Sequence, residues 1–334
     1  MVTIAPDRLG IRADDLSKTY PGARGAPRLT ALDGLSLRVQ AGTIFGLLGP
    51  NGAGKSTTVK ILATLSQADS GHAEVAGIDV GRHPERVRRA IGLVAQKAVA
   101  DPMATGRENL VLAARLQGMG RTDARDRANE LLQRFSLADA ADRLVKGYSG
   151  GMARKLDVAI GLVHRPQVLF LDEPTTGLDP EARAEMWAEL EAMAHIEQMT
   201  VLLTTHYLEE ADRLASRLAI IDHGRVVAEG TPESLKSGLH GDSVTVELDA
   251  QVEPAGISRA LAVMADLDGI TGVTREGLVL RGRADAGARA LPRVLTAFDE
   301  TGIPVASATV ARPSLDDVYL WHTGRSFAAA EGAL

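Results

Sequence analysis

The stretch GPNGAGKST occupies residues 49–57, directly after the apolar run TIFGLL at 43–48. Apolar residues then recur at helical spacing over 59–65, so the stretch lies in a tight turn between a buried strand and a helix. Such a turn points successive backbone N–H groups into one concavity, and the helix N-terminus adds the positive end of its dipole. The stretch therefore predicts a site for phosphate groups in an α/β fold.

Several residues of this loop suit a triphosphate. Gly49, Gly52 and Gly54 can adopt backbone angles closed to other residues and let a phosphate come close. Lys55 can reach β- and γ-phosphate oxygens, and the hydroxyl of Ser56 can coordinate Mg²⁺. The alternative is an ordinary glycine-rich turn, and the motif alone does not separate a kinase from a GTPase or a transporter motor.

Length and composition set limits on the class of protein. A chain of 334 residues suggests two domains, or one large domain with an appendage. The hydrophobic content of 45% is enough for a sizeable core, and a chain without cysteine has neither disulfides nor a thiolate metal site. A net charge of −6, without a basic run interleaved with aromatic residues, argues against a nucleic-acid binder.

Membrane-directed segments are not expected. The N-terminus lacks a basic start followed by an apolar core, so we expect no signal peptide. No apolar run approaches the ~18 residues that a membrane span needs. A role at a membrane would therefore require another chain.

Two carboxylates follow a second buried strand. Residues 168–171 read VLFL, and Asp172 and Glu173 come next. Open α/β sheets place ligands at the carboxyl ends of their strands, and adjacent strand residues point in opposite directions. Asp172 is therefore predicted to bind Mg²⁺, directly or through water, and Glu173 to polarise the water that attacks the γ-phosphate. The alternative is a solvated turn.

Polar residues also end two other predicted strands. Gln96 follows the strand at 91–95, and His206 follows the strand at 200–205. A lone histidine at such a place is usually structural. Together with the acid pair, however, these residues form a constellation that convergence on one γ-phosphate would explain.

Two further features allow more than one interpretation on the residues alone. Ser149 precedes two glycines at the start of a helix, where it is either a second anion site or a plain N-cap. Tyr20 ends a predicted strand, where its ring could stack on a nucleobase or simply fill surface.

The other patterns organise the chain. Residues 9–16 and 32–39 alternate as two antiparallel strands, joined by the Gly/Pro-rich segment 21–27. Amphipathic helical patterns dominate from 97 to 164 and indicate a helical insert within the α/β domain. Residues 236–334 follow the order βαββαβ, which suggests a small ferredoxin-like sandwich.

The order of these motifs resembles the nucleotide-binding subunit of an ABC transporter over about residues 9–235. The six motifs are GPNGAGKST, Gln96, YSGGM at 148–152, VLFLDE at 168–173, TGLD at 176–179 and His206. No other P-loop class carries all six in this order. The segment TGRENL at 105–110 and the tail LDDVYLWHTGR at 315–325 look like those of the daunorubicin-resistance-type exporter ATPases.

The resemblance implies ATP and Mg²⁺ as cofactors. Tyr20 would stack on the adenine, Gln96 would sense Mg²⁺ and the membrane subunit, and His206 would contact the γ-phosphate beside the catalytic Glu173. The metal would be held by Ser56, Gln96 and Asp172. The phosphate loop would comprise Gly49, Pro50, Asn51, Gly52, Ala53, Gly54, Lys55, Ser56 and Thr57.

The resemblance also implies a homodimer. Ser149, Gly150 and Gly151 would belong to a signature motif that caps ATP held by the other protomer, and Asp179 would lie across the dimer interface. That motif usually reads LSGGQ, whereas Tyr148 and a methionine flank Ser-Gly-Gly here. Since the serine side chain and the glycine backbone face the phosphate, we expect function to survive.

We therefore expect an α/β P-loop ABC-type ATPase domain over 1–235. It would comprise a RecA-like core, an antiparallel β subdomain and a helical subdomain at about 97–164, followed by the accessory C-terminal domain at 236–334. The expected function is the ATP-hydrolysing motor of a drug, antibiotic or other hydrophobic-compound exporter. It would act with a separate transmembrane permease at the cytoplasmic face of the membrane, without nucleic acid or a metal other than Mg²⁺.

Three alternatives are weaker. A soluble ABC ATPase of DNA repair or translation usually carries a long coiled coil, zinc-binding cysteines or a second ATPase module, and none is visible here. A non-hydrolysing nucleotide binder would not need both Glu173 and His206. A P-loop kinase would not need YSGGM or TGLD.

Overall fold

The computed structural model describes residues 8–22 and 28–332. These residues form two compact units, which divide between Glu229 and Gly230. Most of the predicted turn at 21–27 lies outside the described residues.

The first unit alternates strands with helices after an antiparallel start. Its strands are β1 (Leu9–Tyr20), β2 (Leu29–Gln40), β3 (Ile44–Leu48), β4 (Ser70–Val75), β5 (Ile78–Asp79), β6 (Ile91–Val94), β7 (Val168–Asp172), β8 (Thr200–Thr205), β9 (Arg217–Asp222) and β10 (Arg225–Gly230). Its helices are α1 (Lys55–Leu62), α2 (Pro84–Ala90), α3 (Gly106–Leu116), α4 (Arg121–Arg134), α5 (Gly150–Gly161), α6 (Pro180–His195) and α7 (Leu208–Leu214).

The central sheet has six strands in the order β10-β9-β3-β8-β7-β6. Strands β3, β8, β7 and β6 run parallel to their neighbours, so their carboxyl ends share one edge. Alternate residues of β7 pack on opposite sides, with Leu169 and Leu171 in one core and Val168 and Phe170 in another. Both faces are thus covered, as the continuous apolar sequence of β7 predicts.

The antiparallel sheet has the order β2-β1-β4-β5. β1 and β2 pair through Ile11 with Val39 and through Leu16 with Leu35, all of which are buried. This pairing confirms the two strands expected from alternation. Their apolar face packs in the same core as Val59 of α1, so this sheet lies beside the phosphate loop.

The helical segment between β6 and β7 consists of α3, α4 and α5. Its buried face is built from small and aliphatic residues such as Ala114 of α3, Ala128 and Leu131 of α4 and Val158 of α5. Since this core is shared with Leu169 and Leu171 of β7, α5 packs on one face of the central sheet, against the strand that leads to the acid pair.

The second unit is a four-stranded antiparallel sheet with two helices on one face. Its strands are β11 (Asp242–Leu248), β12 (Thr271–Glu276), β13 (Val279–Ala284) and β14 (Val305–Ala311), in the order β12-β13-β11-β14. Its helices are α8 (Pro232–Ser237), α9 (Pro254–Asp266), α10 (Gly287–Glu300), α11 (Leu315–Thr323) and α12 (Phe327–Gly332). This order and the shared core of α9 and α10 confirm the ferredoxin-like prediction.

Candidate active site

The carboxyl edge of the central sheet gathers the polar residues that the sequence placed at strand ends. The phosphate loop follows β3, Gln96 follows β6, Glu173 follows β7 and His206 follows β8. The parallel register brings these four loops side by side. The predicted constellation is therefore a real cluster of side chains.

The phosphate loop is shaped by two left-handed glycines and one lysine. Gly52 has a φ of 74°, and Gly54, the N-cap of α1, has a φ of 112°, where a side chain would be strained. The Lys55 ammonium donates to the carbonyl oxygens of Gly49 at 2.6 Å and Pro50 at 3.2 Å. Lys55 is only 4% exposed, so its charge is held beneath the loop rather than in solvent.

Asp172 joins the phosphate loop to the sheet. Its Oδ1 accepts hydrogen bonds from the hydroxyl of Ser56 at 3.1 Å and from the hydroxyl of Thr204 at 2.6 Å. A carboxylate and a hydroxyl so close together are the hard oxygen donors that Mg²⁺ prefers. The donor set therefore fits the ion that the sequence predicted.

Glu173 lies at the centre of the charged groups. Its Oε1 is 3.5 Å from the Lys55 ammonium and 3.3 Å from Nδ1 of His206, while Oε2 accepts from the Gln96 amide at 3.3 Å. The hydrogen bond from His206, and then the charge of Lys55, hold the pKa of Glu173 below its usual range, although burial acts the other way. The side chain is thus an anion at neutral pH.

The backbone of Glu173 is in the left-handed region, with φ at 50°. A residue other than glycine is uncommon there and costs about 1–3 kcal/mol. The strained residue directly follows β7. Its backbone N–H donates to both the carbonyl and the hydroxyl of Thr204, and these bonds hold the conformation. The unusual backbone therefore turns the carboxylate towards Lys55 and His206.

Thr204 is a site residue that the sequence motifs do not single out. Its hydroxyl donates to Asp172 and accepts from the backbone N–H of Glu173 at 3.1 Å, so one side chain orients both acids. The signal was a threonine at a fully buried position near the end of an apolar strand.

Ser149 and Asp179 are not part of this buried cluster. The Ser149 hydroxyl accepts from the Met152 N–H at 3.2 Å and caps α5, and the Asp179 carboxylate accepts from the Ala182 N–H at 2.8 Å and caps α6. Ser149, Gly150 and Asp179 are exposed. Each cap presents the N-terminus of a long helix to the outside, where an anion would be stabilised.

Tyr148, which replaces the usual leucine, is accommodated by the helical segment. Its hydroxyl donates to the Ala140 carbonyl at 2.8 Å, and its ring packs against the core that α3, α4 and α5 share. A Cβ at Gly106 would come within 2.3 Å of the tyrosine hydroxyl oxygen. Gly106, in the TGRENL segment, thus makes the room that Tyr148 needs.

Tyr20 is half-buried at the end of β1, and the Lys18 ammonium lies 5.6 Å from the centre of its ring. A cation over an aromatic ring is a common surface contact. The adenine-stacking role of Tyr20 stays a prediction.

Comparison with known proteins agrees with this geometry. The ABC transporter family matches residues 32–176. The chain is 46% identical over 320 residues to the daunorubicin resistance ATP-binding protein DrrA2 of Streptomyces coeruleorubidus, with 95% of this chain and 96% of the relative covered. It is 44% identical over 243 residues to the Nod factor export ATP-binding protein I of Burkholderia thailandensis, covering 73% and 79%.

A solved structure shares the fold of the first part of the chain. It is the dimeric, post-hydrolysis state of an ATP-binding cassette bound to ADP and Pi, which is 26% identical with a TM-score of 0.61. The match covers 66% of this chain and 98% of that one.

In the described part of the chain, no helix is both long and apolar enough to cross a bilayer. Sequence identity over nearly the whole chain and the shared cassette fold assign the molecule to one family. The chain belongs to the ATP-binding subunits of ABC transporters, and it is an ATPase that serves as the motor of an exporter.

Proposed function

We propose that two copies of this chain close head to tail around two ATP molecules, and that this cycle drives a separate transmembrane permease. The supporting observation is the split between two sets of residues. Lys55, Ser56 and the acid pair are interlinked and mostly buried, whereas Ser149 and Asp179 face outward on helix N-termini. A second copy would supply the exposed set to the buried one.

In this proposal each residue of the buried set has one task. Lys55 and the N–H groups of residues 49–57 stabilise charge on the β- and γ-phosphates, and His206 contacts the γ-phosphate. Glu173, an anion beside His206 and Lys55, orients the attacking water. Gln96 donates to Glu173 and couples the loop after β6 to the same water.

Mg²⁺ is proposed as the second cofactor. Ser56 and Asp172 would hold it, with Gln96 reaching it when the nucleotide is present. Bound there, the ion would neutralise charge between the β- and γ-phosphates. Thr204 and Ser56, which both donate to Asp172, keep that carboxylate at the edge of the phosphate loop.

The permease contact is proposed on the helical segment near residues 97–116. Large apolar side chains are exposed there, with Met103 at 65% and Leu116 at 79% exposure, and Val99 and Leu112 are also exposed. Surface apolar groups clustered in one segment mark interaction sites in other proteins. The contact would place the chain at the cytoplasmic face of the membrane.

The proposed cargo is a drug, an antibiotic or another hydrophobic compound. Similar identities, 46% and 44%, join this chain to a daunorubicin resistance protein and to a Nod factor export protein. The ATPase sequence is therefore compatible with chemically different cargoes, whose choice we assign to the permease. The drug-resistance relative is favoured because its match extends over 95% of the chain.

The domain at 236–334 is proposed to support the dimer or to regulate it. On its sheet, Arg281 of β13 pairs with Asp316 of α11 at 2.7 Å, so α11 is tied to the unit's own strands. Inert packing is the alternative.

The substitution Glu173→Gln tests the proposal. It keeps the shape of the side chain but removes the charge that orients water, so ATP binding should persist while turnover falls by about 10²-fold or more. With ATP and Mg²⁺, the variant should elute from a sizing column as a trapped dimer. Glu85→Gln, at an exposed glutamate of α2, is the matched control and should behave as the unmodified chain.

Normal hydrolysis by Glu173→Gln would show that another group orients the water. If Glu173→Gln lost hydrolysis but formed no ATP-dependent dimer, the head-to-tail arrangement would be contradicted. The unmodified protein would then hydrolyse ATP as a single chain.

A further inference from the structure

Arg154 is a buried cation that binds four main-chain carbonyls. It lies on α5 and is 8% exposed. Its Nε donates to the carbonyl of Pro174 at 2.8 Å, and Nη1 donates to the carbonyl of Ala95 at 2.7 Å. Its Nη2 donates to the carbonyls of Asp172 at 3.1 Å and Glu173 at 3.3 Å.

These carbonyls belong to two loops that carry site residues. Ala95 directly precedes Gln96, and the other three flank or belong to the acid pair. The guanidinium is planar and presents its donors in a fixed fork, so it sets the spacing between the two loops more rigidly than a lysine could. The Gln96 amide and the Glu173 carboxylate lie 3.3 Å apart, and Arg154 binds the main chain next to both residues.

The same helix holds the other side of the Gln96 loop. Asp157, one turn after Arg154, accepts from the backbone N–H groups of Val99 at 3.0 Å and Ala100 at 3.1 Å. Arg154 and Asp157 are both buried, and both bind the main chain of that loop. A displacement of α5 would therefore move the Gln96 loop as well.

The charge of Arg154 is compensated inside the fold. Burial lowers the pKa of Arg154, while Asp157, Asp172 and Glu210 act in the opposite direction. An arginine remains charged in proteins, so these acids and the four carbonyls keep a permanent cation behind the acid pair. Losing the guanidinium would remove a donor from each of these buried carbonyls, although the carbonyl of Glu173 would still accept from the N–H of Thr176 at 3.4 Å.

The helix that carries Arg154 starts at the outward-facing serine. Ser149 is the N-cap of α5, and Arg154 follows five residues later, about 7.5 Å further along the helix axis. One rigid helix thus connects the exposed half of the nucleotide site to the support beneath Gln96 and Glu173.

We propose that Arg154 is a positioning residue. Through it, the contact that Ser149 makes with the other copy's nucleotide determines the position of Glu173 in the chain to which that Ser149 belongs. The inference rests on the proposed dimer. In that dimer Ser149 touches the nucleotide held by the partner, whereas Glu173 acts on the nucleotide held by its own chain. Arg154 therefore couples the two nucleotide sites, and ATP hydrolysis is cooperative because of it.

The test compares two buried arginines in the full chain. Arg154→Met removes the fork but keeps the apolar stem. Arg127→Met is the matched control, because Arg127 of α4 is 9% exposed and also donates to two carbonyls, those of Leu162 and Val163, which belong to neither loop. For each variant we would measure kcat, the half-saturating ATP concentration, the Hill coefficient and the melting temperature.

Arg154→Met is expected to lower kcat by about 10–10²-fold, because a misplacement of about 1 Å has effects of that size. Its half-saturating ATP concentration should stay within about twofold, and its Hill coefficient should fall to one. Arg127→Met should melt earlier but keep the kcat and the Hill coefficient of the unmodified chain. Arg154→Lys, which keeps the charge without the fork, should fold and still lose kcat and cooperativity.

Equal kcat losses in Arg154→Met and Arg127→Met would overturn the inference, since both would then report stability alone. An Arg154→Lys variant with unchanged kcat and cooperativity would also overturn the inference. This variant provides the test if Arg154→Met does not fold. The unmodified chain and Glu173→Gln are run in parallel. If the unmodified chain does not hydrolyse ATP, or if Glu173→Gln does not dimerise, the proposed function fails, regardless of the results for the Arg154 variants.

Discussion

The two halves of the proposed nucleotide site are built in opposite ways. The half around Lys55 and Glu173 is buried, with those side chains 4% and 8% exposed, and its groups satisfy one another. The half around Ser149 and Asp179 is exposed, and each side chain bonds only within the first turn of its own helix in the contacts described above. Buried polar groups must be paired, whereas exposed ones can wait for a ligand.

This difference separates what one chain can do alone from what it cannot. The buried half is already positioned by its own hydrogen bonds, so a single copy should bind nucleotide. The exposed half offers two helix N-termini, and among the described residues its capping side chains bond within their own helices. Changes in the buried half should therefore affect steps that a single copy performs, such as nucleotide binding or the positioning of the attacking water. Changes in the exposed half should affect only the steps that need two copies.

Lys55→Ala should have the largest effect. It removes the ammonium that lies 3.5 Å from Glu173 and beneath the phosphate loop, so ATP binding should weaken and hydrolysis should fall by about 10³-fold. Lys60→Ala, at an exposed lysine of the same helix, is the control. Radiolabelled phosphate release and nucleotide titration measure both steps, and unchanged turnover would remove Lys55 from the site.

Ser149→Arg should separate the halves most clearly. The added bulk at the exposed cap should block closure and lower hydrolysis by about 10²-fold, while single copies bind ATP within about twofold of the unmodified chain. In the Glu173→Gln background the trapped dimer should disappear from the sizing column. Ser70→Arg, at an exposed residue of β4, should leave the trapped dimer in place. A dimer that persists with Ser149→Arg would place the contact elsewhere.

Gly106→Ala tests the packing beneath the exposed half. Its methyl group would clash with the Tyr148 hydroxyl, so unfolding in urea should be easier by about 1–3 kcal/mol. Tyr148→Phe removes that hydroxyl and its bond to Ala140, at a cost of about 1 kcal/mol. The double variant should lose less than the sum, since both changes act on one contact. Strict additivity would mean that the two residues do not share the space.

Thr204→Val should give the smallest effect, and it tests whether the Thr204 hydroxyl positions the two acids of the buried half. It keeps the volume but removes the hydroxyl that orients both acids, so kcat should fall roughly tenfold with little change in ATP binding. Thr204→Ser retains the hydroxyl and should stay near the unmodified rate. Equal rates for valine and serine would show that the hydroxyl does not position the acids.

The clustering of the buried half could be predicted from the sequence because it depends on one rule. Strands β3, β6, β7 and β8 are parallel, so polar residues that follow them must meet. The same periodicities predicted most elements, including the order of strands and helices along the second unit. Helix α1 begins at Lys55 rather than at the apolar residues from 59, because its first turn is built by the phosphate loop itself.

The supports behind the site could not be predicted in this way. Arg154 bonds to residues that are 18 to 59 positions away in the chain, and nothing in its neighbours' sequence indicates them. Thr204 resembles an ordinary buried strand residue until its hydroxyl is placed between two carboxyl-bearing residues. The short helices α8 and α12 have only six residues each, too few for a periodicity to emerge.

The left-handed backbone of Glu173 has a consequence for the history of such a chain. Glycine or asparagine would adopt that conformation with less strain, so drift without a demand for turnover would favour them at this position. A descendant that had become a pure nucleotide sensor would be expected to relax here first and gain thermal tolerance. At this position the chain therefore combines a strained backbone with a carboxylate that lies beside Lys55 and His206.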